Sequence, residues 1–361
     1  MRERAKCVPH TARVRRSFLA CIALVALVAF VGCASAPAPA PTVAPLSIPT
    51  APESTPAATT ATDAQTLILE PDAGLNAIYA LLASAHHTVD LTMYELEDTY
   101  AEQLLATDAA HGVDVRVILD RAYIESENSA AYSYLLSHGV HVRWAPSLYS
   151  LTHQKTLSVD GEVSVIMSLN WTSRYYADTR DVAVLDRTPS DIAAIESVFN
   201  ADFAGSRITP GAGADLVWSP TTSLPDLLAL INGAKHHLLV ENEEMGNASI
   251  TDVLIAAAHR GVVVDICMTN SSSWSTAFRE LTSAGAHVRV YAATASLYIH
   301  AKVLVSDAGT SAQVAFAGSQ NFSTESLRYN RELGILLRGV TAVTRLAAMI
   351  GQDFNGAANW T

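Results

Sequence analysis

Two stretches of the chain repeat the spacing H-x-K-x4-D, which combines an imidazole, an ammonium and a carboxylate. The residues are His153, Lys155 and Asp160 in the first stretch and His300, Lys302 and Asp307 in the second. A histidine can attack phosphorus or carry a proton near neutral pH, and a lysine ammonium stabilises negative charge on phosphate oxygens. If each motif lies on a strand, its histidine and lysine point to the same face. The repeated motif therefore predicts chemistry on a phosphate group.

The distribution of lysine favours a functional role for the motif. The chain has four lysines, which are Lys6, Lys155, Lys235 and Lys302. Lys6 belongs to a predicted export leader, so two of the three remaining lysines fall in the motif. A half-buried strand with a solvent-facing histidine and lysine explains a single copy equally well, but not two copies in a lysine-poor chain.

Polar residues follow both motifs at a constant offset of 151 residues. The aligned pairs are Ser168 and Ser319, Asn170 and Asn321, and Asp181 and Glu332. Serine and asparagine supply neutral donors for phosphate oxygens, although ordinary turns after a strand use the same residues. A carboxylate can hold the second ring nitrogen of a histidine and support an imidazolium. Asp181 and Glu332 are therefore candidate orienting groups for the two histidines.

With this doubled motif, followed by Gly318-Ser-Gln-Asn321 and Asn330-Arg-Glu332, the sequence resembles the phospholipase D superfamily from about residue 65 to 361. The resemblance implies that His153 and His300 form a nucleophile and acid/base pair and that no metal or other cofactor is needed. It implies phosphate binding by the lysines and asparagines and assistance by the serines, and it adds the motif aspartates to the catalytic set. These residues are Lys155, Lys302, Asn170, Asn321, Ser168, Ser319, Asp160 and Asp307.

The first half departs from the family pattern at three positions. Met167 stands where the second half has Gly318, and Thr179 and Asp181 stand where it has Asn330 and Glu332. We expect this departure to make the orientation of the first histidine, His153, less secure. The same departure is the feature that favours an alternative function, a degenerate binding protein of the cell envelope without catalysis.

Weaker repeats indicate that the motifs belong to a duplicated unit of about 150 residues. His138-Gly-Val-His-Val-Arg143 recurs as Ala284-Gly-Ala-His-Val-Arg289, and strand patterns alternate with helix patterns in both halves. We predict an α/β fold of duplicated phospholipase D-like layered domains, each a mixed sheet flanked by helices, with the active site at the pseudo-twofold interface. The predicted halves are residues 65–208 and 213–361, separated by a Gly-rich stretch that contains proline.

The N-terminal region predicts export. Residues 1–33 contain a basic stretch, a short apolar segment and Phe30-Val-Gly-Cys33, which resembles a bacterial lipoprotein cleavage site with Cys33 as the lipidated residue. Ordinary secretion with cleavage after Ala36 is the alternative. Residues 34–64 are rich in Ala, Pro and Thr, which predicts an extended tether. We therefore expect the protein in the cell envelope, anchored to a membrane, or otherwise periplasmic or secreted.

The charge of the chain bears on its substrate. Without residues 1–33 the chain has 17 basic and 34 acidic residues, a net charge of −17. Because Lys and Arg supply the affinity for nucleic acid, this balance disfavours a nucleic-acid substrate. We predict a monomeric phospholipase D-type phosphodiesterase that hydrolyses or transfers the head group of phospholipids at a membrane surface through a phosphohistidine. A nuclease and a cardiolipin-synthase-like phosphatidyltransferase are alternatives with the same chemistry.

Three further features lie outside the repeated motif. Cys267, the single cysteine after residue 33, lies in an apolar run and predicts a buried structural thiol. The pairs His86-His87 and His236-His237 lack the cysteine or carboxylate spacing of zinc sites, so we predict no metal there. Tyr94 and Glu244 fall at matching positions near strand ends, which makes Glu244 a candidate for the cleft.

Overall fold

The structure is a computed structural model that describes residues 64–361. The predicted signal peptide with Cys33, and the predicted tether up to residue 63, lie outside the described residues. Within residues 64–361, no helix combines the length and the apolar character needed to cross a membrane.

The first half forms one mixed sheet covered by helices. Its strands are β1 (Gln65–Glu70), β2 (Thr88–Met93), β3 (Asp114–Leu119), β4 (His141–Trp144), β5 (Thr156–Val159), β6 (Val163–Met167) and β7 (Thr179–Asp186). Its helices are α1 (Asn76–Leu82), α2 (Thr99–Ala110), α3 (Glu125–Ser137) and α4 (Pro189–Phe203), with a 3-10 turn at Ser173–Tyr175. The strand order is β1-β7-β6-β5-β2-β3-β4. The β2, β3 and β4 strands pair in parallel and are connected by helices. The other neighbours in the sheet pair antiparallel, namely β1 with β7, β7 with β6, β6 with β5 and β5 with β2.

The second half repeats this arrangement. Its strands are β8 (Leu216–Ser219), β9 (His237–Glu241), β10 (Val263–Thr269), β11 (His287–Tyr291), β12 (Tyr298–Ile299), β13 (Val303–Ser306), β14 (Val314–Gly318), β15 (Glu332–Leu337) and β16 (Ala358–Asn359). Its helices are α5 (Ser223–Gly233), α6 (Ala248–His259), α7 (Ser275–Ser283), α8 (Thr324–Arg328) and α9 (Val340–Gly356), with a 3-10 turn at Ser272–Trp274. The order β16-β11-β10-β9-β13-β14-β15-β8 mirrors the first sheet. The predicted α/β class with two layered, mixed sheets is confirmed.

Apolar side chains fill three clusters, and the third one joins the halves. Each half has its own core between its sheet and helices α1 to α3 or α5 to α7. The other face of both sheets packs into a shared core, to which β6 and β7 contribute Ile166 and Val182 and β13 contributes Val303 and Val305. Strand alternation explains the division, because Leu304 lies between these two valines and packs into the second-half core instead. Burial of both sheet faces thus holds the halves together.

Two polar N-caps establish which positions of the halves correspond. Asp98 accepts hydrogen bonds from the backbone N–H groups at the start of α2, and Asn247 does the same for α6. The offset between these caps is 149 residues. The isolated bridges of Leu96 to Trp171 and of Met245 to Phe322 keep the same offset at their first members. In this part of the fold, Tyr94 therefore corresponds to Glu243, and the predicted match of Tyr94 with Glu244 is wrong by one residue.

Candidate active site

The two histidines meet because each half sends its motif segment to the opposite half. The short strand β12 pairs in parallel with the start of β7, and His300 N–H donates to the carbonyl of Arg180 at 3.2 Å. On the other side, Thr152 forms a parallel bridge with Arg331, and His153 N–H donates to the carbonyl of Arg331 at 3.0 Å. These reciprocal backbone contacts place both imidazoles at the junction of the sheets.

A carboxylate from the opposite half holds the Nδ1 atom of each histidine. The distance from His153 Nδ1 to Glu332 Oε2 is 2.9 Å, and that from His300 Nδ1 to Asp181 Oδ1 is 2.8 Å. All four side chains are buried, so little water competes for these hydrogen bonds. The structure thus brings each motif histidine into contact with one of the two carboxylates that the sequence predicted as orienting groups.

The pairing corrects one expectation about the first half. We expected Asp181, the shorter carboxylate, to make His153 less secure, but it contacts His300. His153 is held by Glu332, whose second oxygen accepts hydrogen bonds from Ser326 Oγ at 2.6 Å and Asn330 Nδ2 at 3.1 Å. The departure from the family pattern in the first half therefore affects the histidine of the second half.

Burial and neighbouring ammonium groups keep His153 neutral. Burial, and then the charge of Lys155, lower its pKa to about 4 against the opposing effect of Glu332. Burial and the charge of Lys302 lower the pKa of Lys155 well below its usual value. Burial acts to raise the pKa of Glu332, but its interactions with His153, Lys155 and Ser326 outweigh burial and lower the pKa. Charges of both halves act on the same groups, so they form one electrostatic site.

The environments of the two histidines differ at one pair of corresponding residues. In the first half, the ring centroid of Tyr94 lies 4.7 Å from that of His153 and 4.8 Å from Lys155 Nζ. In the second half, Glu243 Oε2 lies 3.0 Å from Lys302 Nζ and 3.5 Å from His300 Nε2. One histidine therefore faces an aromatic ring and the other faces a carboxylate.

Sequence reasoning missed Glu243 and chose its neighbour. The pKa of Glu244 is raised to about 7 by burial and by the charge of its neighbour Glu243, and the charges of Lys302 and Glu332 also act on it. It is Glu243, however, that contacts the motif lysine and histidine. The offset of 149 residues between the capping residues Asp98 and Asn247 was the sequence signal that could have identified it.

The predicted phosphate-binding residues divide into two groups. A contact places Asn321 at the site, because its Nδ2 atom is 3.3 Å from Glu243 Oε2. The Oδ1 atoms of Asn170 and Asn321 are buried without a hydrogen-bond partner in residues 64–361. Buried polar atoms that lack a partner are commonly satisfied by a ligand or water. An amide oxygen accepts, so water or a donor group of a ligand satisfies these atoms, and the Nδ2 groups are the ones that can donate to phosphate oxygens.

The two serines do not match the prediction of direct phosphate contact. Both are fully buried. Ser168 Oγ donates to Asp181 Oδ1 at 2.6 Å, and Ser319 Oγ donates to the carbonyl of Leu333 at 3.3 Å. The hydroxyl of Ser168 is hydrogen-bonded to the orienting carboxylate and that of Ser319 to strand backbone. The two serines therefore stabilise the residues and strands that hold the histidines.

The motif aspartates contradict the prediction that they are catalytic. Asp160 accepts hydrogen bonds of 2.7 to 2.9 Å from the backbone N–H groups of residues 86 to 88, and Asp307 accepts bonds of 2.7 to 3.0 Å from those of residues 235 to 237. Both have positive φ angles, 54° and 51°. Each lies seven residues beyond its histidine along an extended segment, a distance of about 20 Å. They fix the turn that follows β5 or β13 to the start of β2 or β9.

The remaining candidates are structural in the described part of the chain. Cys267 is fully buried, as predicted, and burial raises the pKa of its thiol. His86, His87, His236 and His237 contribute backbone N–H groups to the two aspartates. Among residues 64–361, no group of three or more His, Cys, Asp or Glu side chains is placed to hold a metal ion.

Comparisons with known proteins agree with this architecture. A family model described as "Cardiolipin synthase, PLD-like domain" matches the chain twice, at residues 78–203 and 227–354. No curated protein matches the sequence. Among solved structures, a polyphosphate kinase from Porphyromonas gingivalis is 14% identical with a TM-score of 0.64, covering 80% of this chain and 46% of its own. The chain thus spans less than half the length of that kinase.

Two further structures extend the comparison. A phosphatidylserine synthase from Haemophilus influenzae Rd KW20 is 11% identical with a TM-score of 0.62, covering 83% of this chain and 89% of its own. Nuc from Salmonella typhimurium, described as a phospholipase D family member, is 19% identical with a TM-score of 0.36, covering 40% of this chain and 95% of its own. At such identities the likenesses to the polyphosphate kinase and to the phosphatidylserine synthase show a shared fold alone.

Proposed function

This chain belongs to the phospholipase D superfamily, and from that premise we propose that it breaks or exchanges phosphodiester bonds through a covalent phosphohistidine. The observation that carries the proposal is the reciprocal pairing of two buried histidines with carboxylates of the opposite halves. An Nδ1–H group that donates to a carboxylate leaves Nε2 of the same ring available for chemistry. Two such rings, flanked by two lysines, supply a nucleophile and an acid around one phosphate.

The different neighbours of the histidines support a division of roles between them. Burial, and then the charge of Lys155, lower the pKa of His153 and favour its neutral form, whose Nε2 lone pair can attack phosphorus. His300 has the carboxylates of Asp181 and Glu243 at its two ring nitrogens, which can balance the charge of an imidazolium. His153 is therefore the nucleophile, and His300 is the general acid.

The reaction proceeds in two displacements. In the first, His153 Nε2 forms a bond to phosphorus, the bond from phosphorus to the leaving oxygen breaks, and His300 Nε2–H protonates that oxygen. In the second, water attacks phosphorus and gives its proton to His300, while the bond from phosphorus to nitrogen breaks. An alcohol in place of water gives transfer instead of hydrolysis. Lys155, Lys302, Asn170 and Asn321 stabilise the charge on the non-bridging oxygens.

The proposed substrate is the head-group phosphodiester of a phospholipid. The expected export leader with Cys33 and the extended tether would keep the protein near a membrane in the cell envelope. A net charge of −17 after residue 33 opposes binding of a polyanion. The cleft adds acidic groups, because Glu243 and Glu244 lie beside the second histidine motif.

Product analysis on phospholipid vesicles tests the proposal. The purified protein should release head groups and, when ethanol competes with water, should also form a phosphatidylethanol. His300→Ala serves as the inactive control, and a chelator should leave turnover unchanged. Efficient cleavage of single-stranded DNA with untouched vesicles would replace the lipid substrate by a nucleic acid. The absence of both activities, with every diester tried, would refute the proposed phosphodiesterase.

A further inference from the structure

One carboxylate oxygen occupies the second-half side of the phosphate site. Glu243 Oε2 lies 3.0 Å from Lys302 Nζ, 3.3 Å from Asn321 Nδ2 and 3.5 Å from His300 Nε2. The proposed function assigns these three groups to the phosphate and the leaving oxygen. The other oxygen of Glu243 accepts a hydrogen bond from the hydroxyl of Tyr298 at 3.0 Å, which fixes the direction of the carboxylate.

The first half has no counterpart of this charge at the corresponding position. There the ring of Tyr94 faces Lys155, whose Nζ donates to the carbonyl of His153 at 2.6 Å. Of the two motif lysines, Lys302 is the one paired with a carboxylate inside the site. The duplication therefore provides two phosphate-binding half-sites, and Glu243 partly neutralises one of them.

The charge of the bound phosphate group determines how strongly Glu243 repels it. A phosphodiester carries one negative charge at neutral pH, whereas a phosphomonoester carries close to two, because its second pKa is about 6. Inorganic phosphate loses its second proton close to neutral pH, so it is mainly doubly charged at pH 7.5. Each added negative charge increases the Coulomb repulsion from a nearby carboxylate, and burial reduces the screening by water. A diester thus tolerates Glu243 better than a monoester does.

We propose that Glu243 is a specificity-determining residue that makes the site reject doubly charged phosphates while it admits singly charged diesters. The inference rests on the proposed function. Hydrolysis converts the diester into a monoester, so the same carboxylate repels the product as soon as its second proton is lost. Glu243 then promotes product release and limits product inhibition.

Calorimetric titration with inorganic phosphate tests this role without any turnover. The full chain and Glu243→Gln should be compared at pH 7.5, where the variant should bind phosphate tighter by roughly tenfold, the size of one pKa unit of interaction. At pH 5.5, where phosphate is mainly singly charged, the gain should shrink. Glu125→Gln is the matched control, because Glu125 is an exposed residue of α3 paired with Arg121 and its replacement removes the same net charge.

Equal or weaker phosphate binding by Glu243→Gln at pH 7.5, or the same gain in Glu125→Gln, would overturn the inference. Glu243→Tyr, which copies the residue of the first half, is the second variant, and a melting curve shows that each variant is folded. If the unchanged protein cleaves a diester but Glu243→Gln gains no phosphate affinity, the role of Glu243 is refuted and the proposed function is not. A gain in affinity in a protein that cleaves no diester refutes the proposed function instead.

Discussion

The two halves share a scaffold but give their histidines opposite surroundings. Both imidazoles are held at Nδ1 by a carboxylate of the other half at nearly the same distance, 2.9 and 2.8 Å. The difference lies on the remaining side, where His153 faces Tyr94 and His300 faces Glu243. A duplicated backbone therefore sets the geometry, and single substitutions near each ring create the different surroundings on which the proposed roles of the two histidines rest.

A second difference lies behind the orienting carboxylates. In the pairing of β1 with β7, Glu70 stands opposite Asp181, whereas in the pairing of β8 with β15, Ser219 stands opposite Glu332. Directly opposed residues of antiparallel strands point to the same face. Burial, and then the charge of Asp181, raise the pKa of Glu70 to about 7. The first sheet thus carries an additional buried carboxylate beside its shorter orienting residue.

The largest effect should come from removing either histidine. His153→Ala and His300→Ala should each lower turnover of an alkyl phosphodiester by at least roughly 10⁴-fold, and the double variant should be no worse, because residues that act as a unit are not additive. Steady-state kinetics on the three variants measures this. Substantial turnover in either single variant would mean that the two histidines do not serve one site.

A substrate with a good leaving group should then separate the halves. An aryl phosphodiester expels a phenolate that needs no proton, so His300→Ala should still transfer its phosphoryl group to His153. We expect a burst of phenolate in His300→Ala and an acid-labile phosphohistidine at residue 153 by mass spectrometry, and no burst in His153→Ala. A burst in His153→Ala alone would reverse the assigned roles.

The orienting carboxylates should show the same division with a smaller effect. Glu332→Gln should lower kcat for alkyl and aryl diesters alike, by roughly 10² to 10³-fold, because it disturbs the nucleophile. Asp181→Asn should lower kcat mainly for the alkyl diester, because it disturbs the acid. The ratio of the two substrates is the measurement. Identical ratios in both variants would argue that each carboxylate acts on the whole site.

The smallest effect concerns stability and Glu70. Its pKa is raised from 4.5 to about 7 in the folded chain, so the folded state binds its proton more tightly than the unfolded state does. The stability from this proton is present below about pH 4.5 and is lost as pH rises through about 7. Glu70→Gln should therefore melt higher than the unchanged protein at pH 8, by roughly a few degrees, with a smaller gain at pH 5. A gain that does not change with pH would point to packing instead of ionisation.

Much of the site was predictable because its chemistry depends on residue types that recur at one spacing. The doubled motif identified both histidines and both lysines, and the offset of 151 residues identified Asp181 and Glu332. The partner of each histidine was not predictable in this way. An offset matches a residue with its counterpart in the other half, whereas the contacts join residues more than a hundred positions apart across the junction.

The other errors have local physical causes. Asp160 and Asp307 belong to the motif by spacing, but their carboxylates accept hydrogen bonds from backbone N–H groups at the start of β2 and β9. Spacing cannot distinguish this structural use of aspartate from catalysis. The choice of Glu244 over Glu243 came from aligning the halves one residue out of step. On an extended segment a shift of one residue turns a side chain to the opposite face.

The link between α4 and β8 has a genetic consequence, because it makes the two halves one polypeptide. Two copies of a half-length chain around a twofold axis would build the same junction with every residue used twice. A tyrosine at position 94 would then impose a tyrosine at the place of Glu243, and any gain at one histidine would be copied to the other. A single gene for both halves removes that constraint. Mutation and selection can act on each copy alone, which permits the asymmetry between Tyr94 and Glu243.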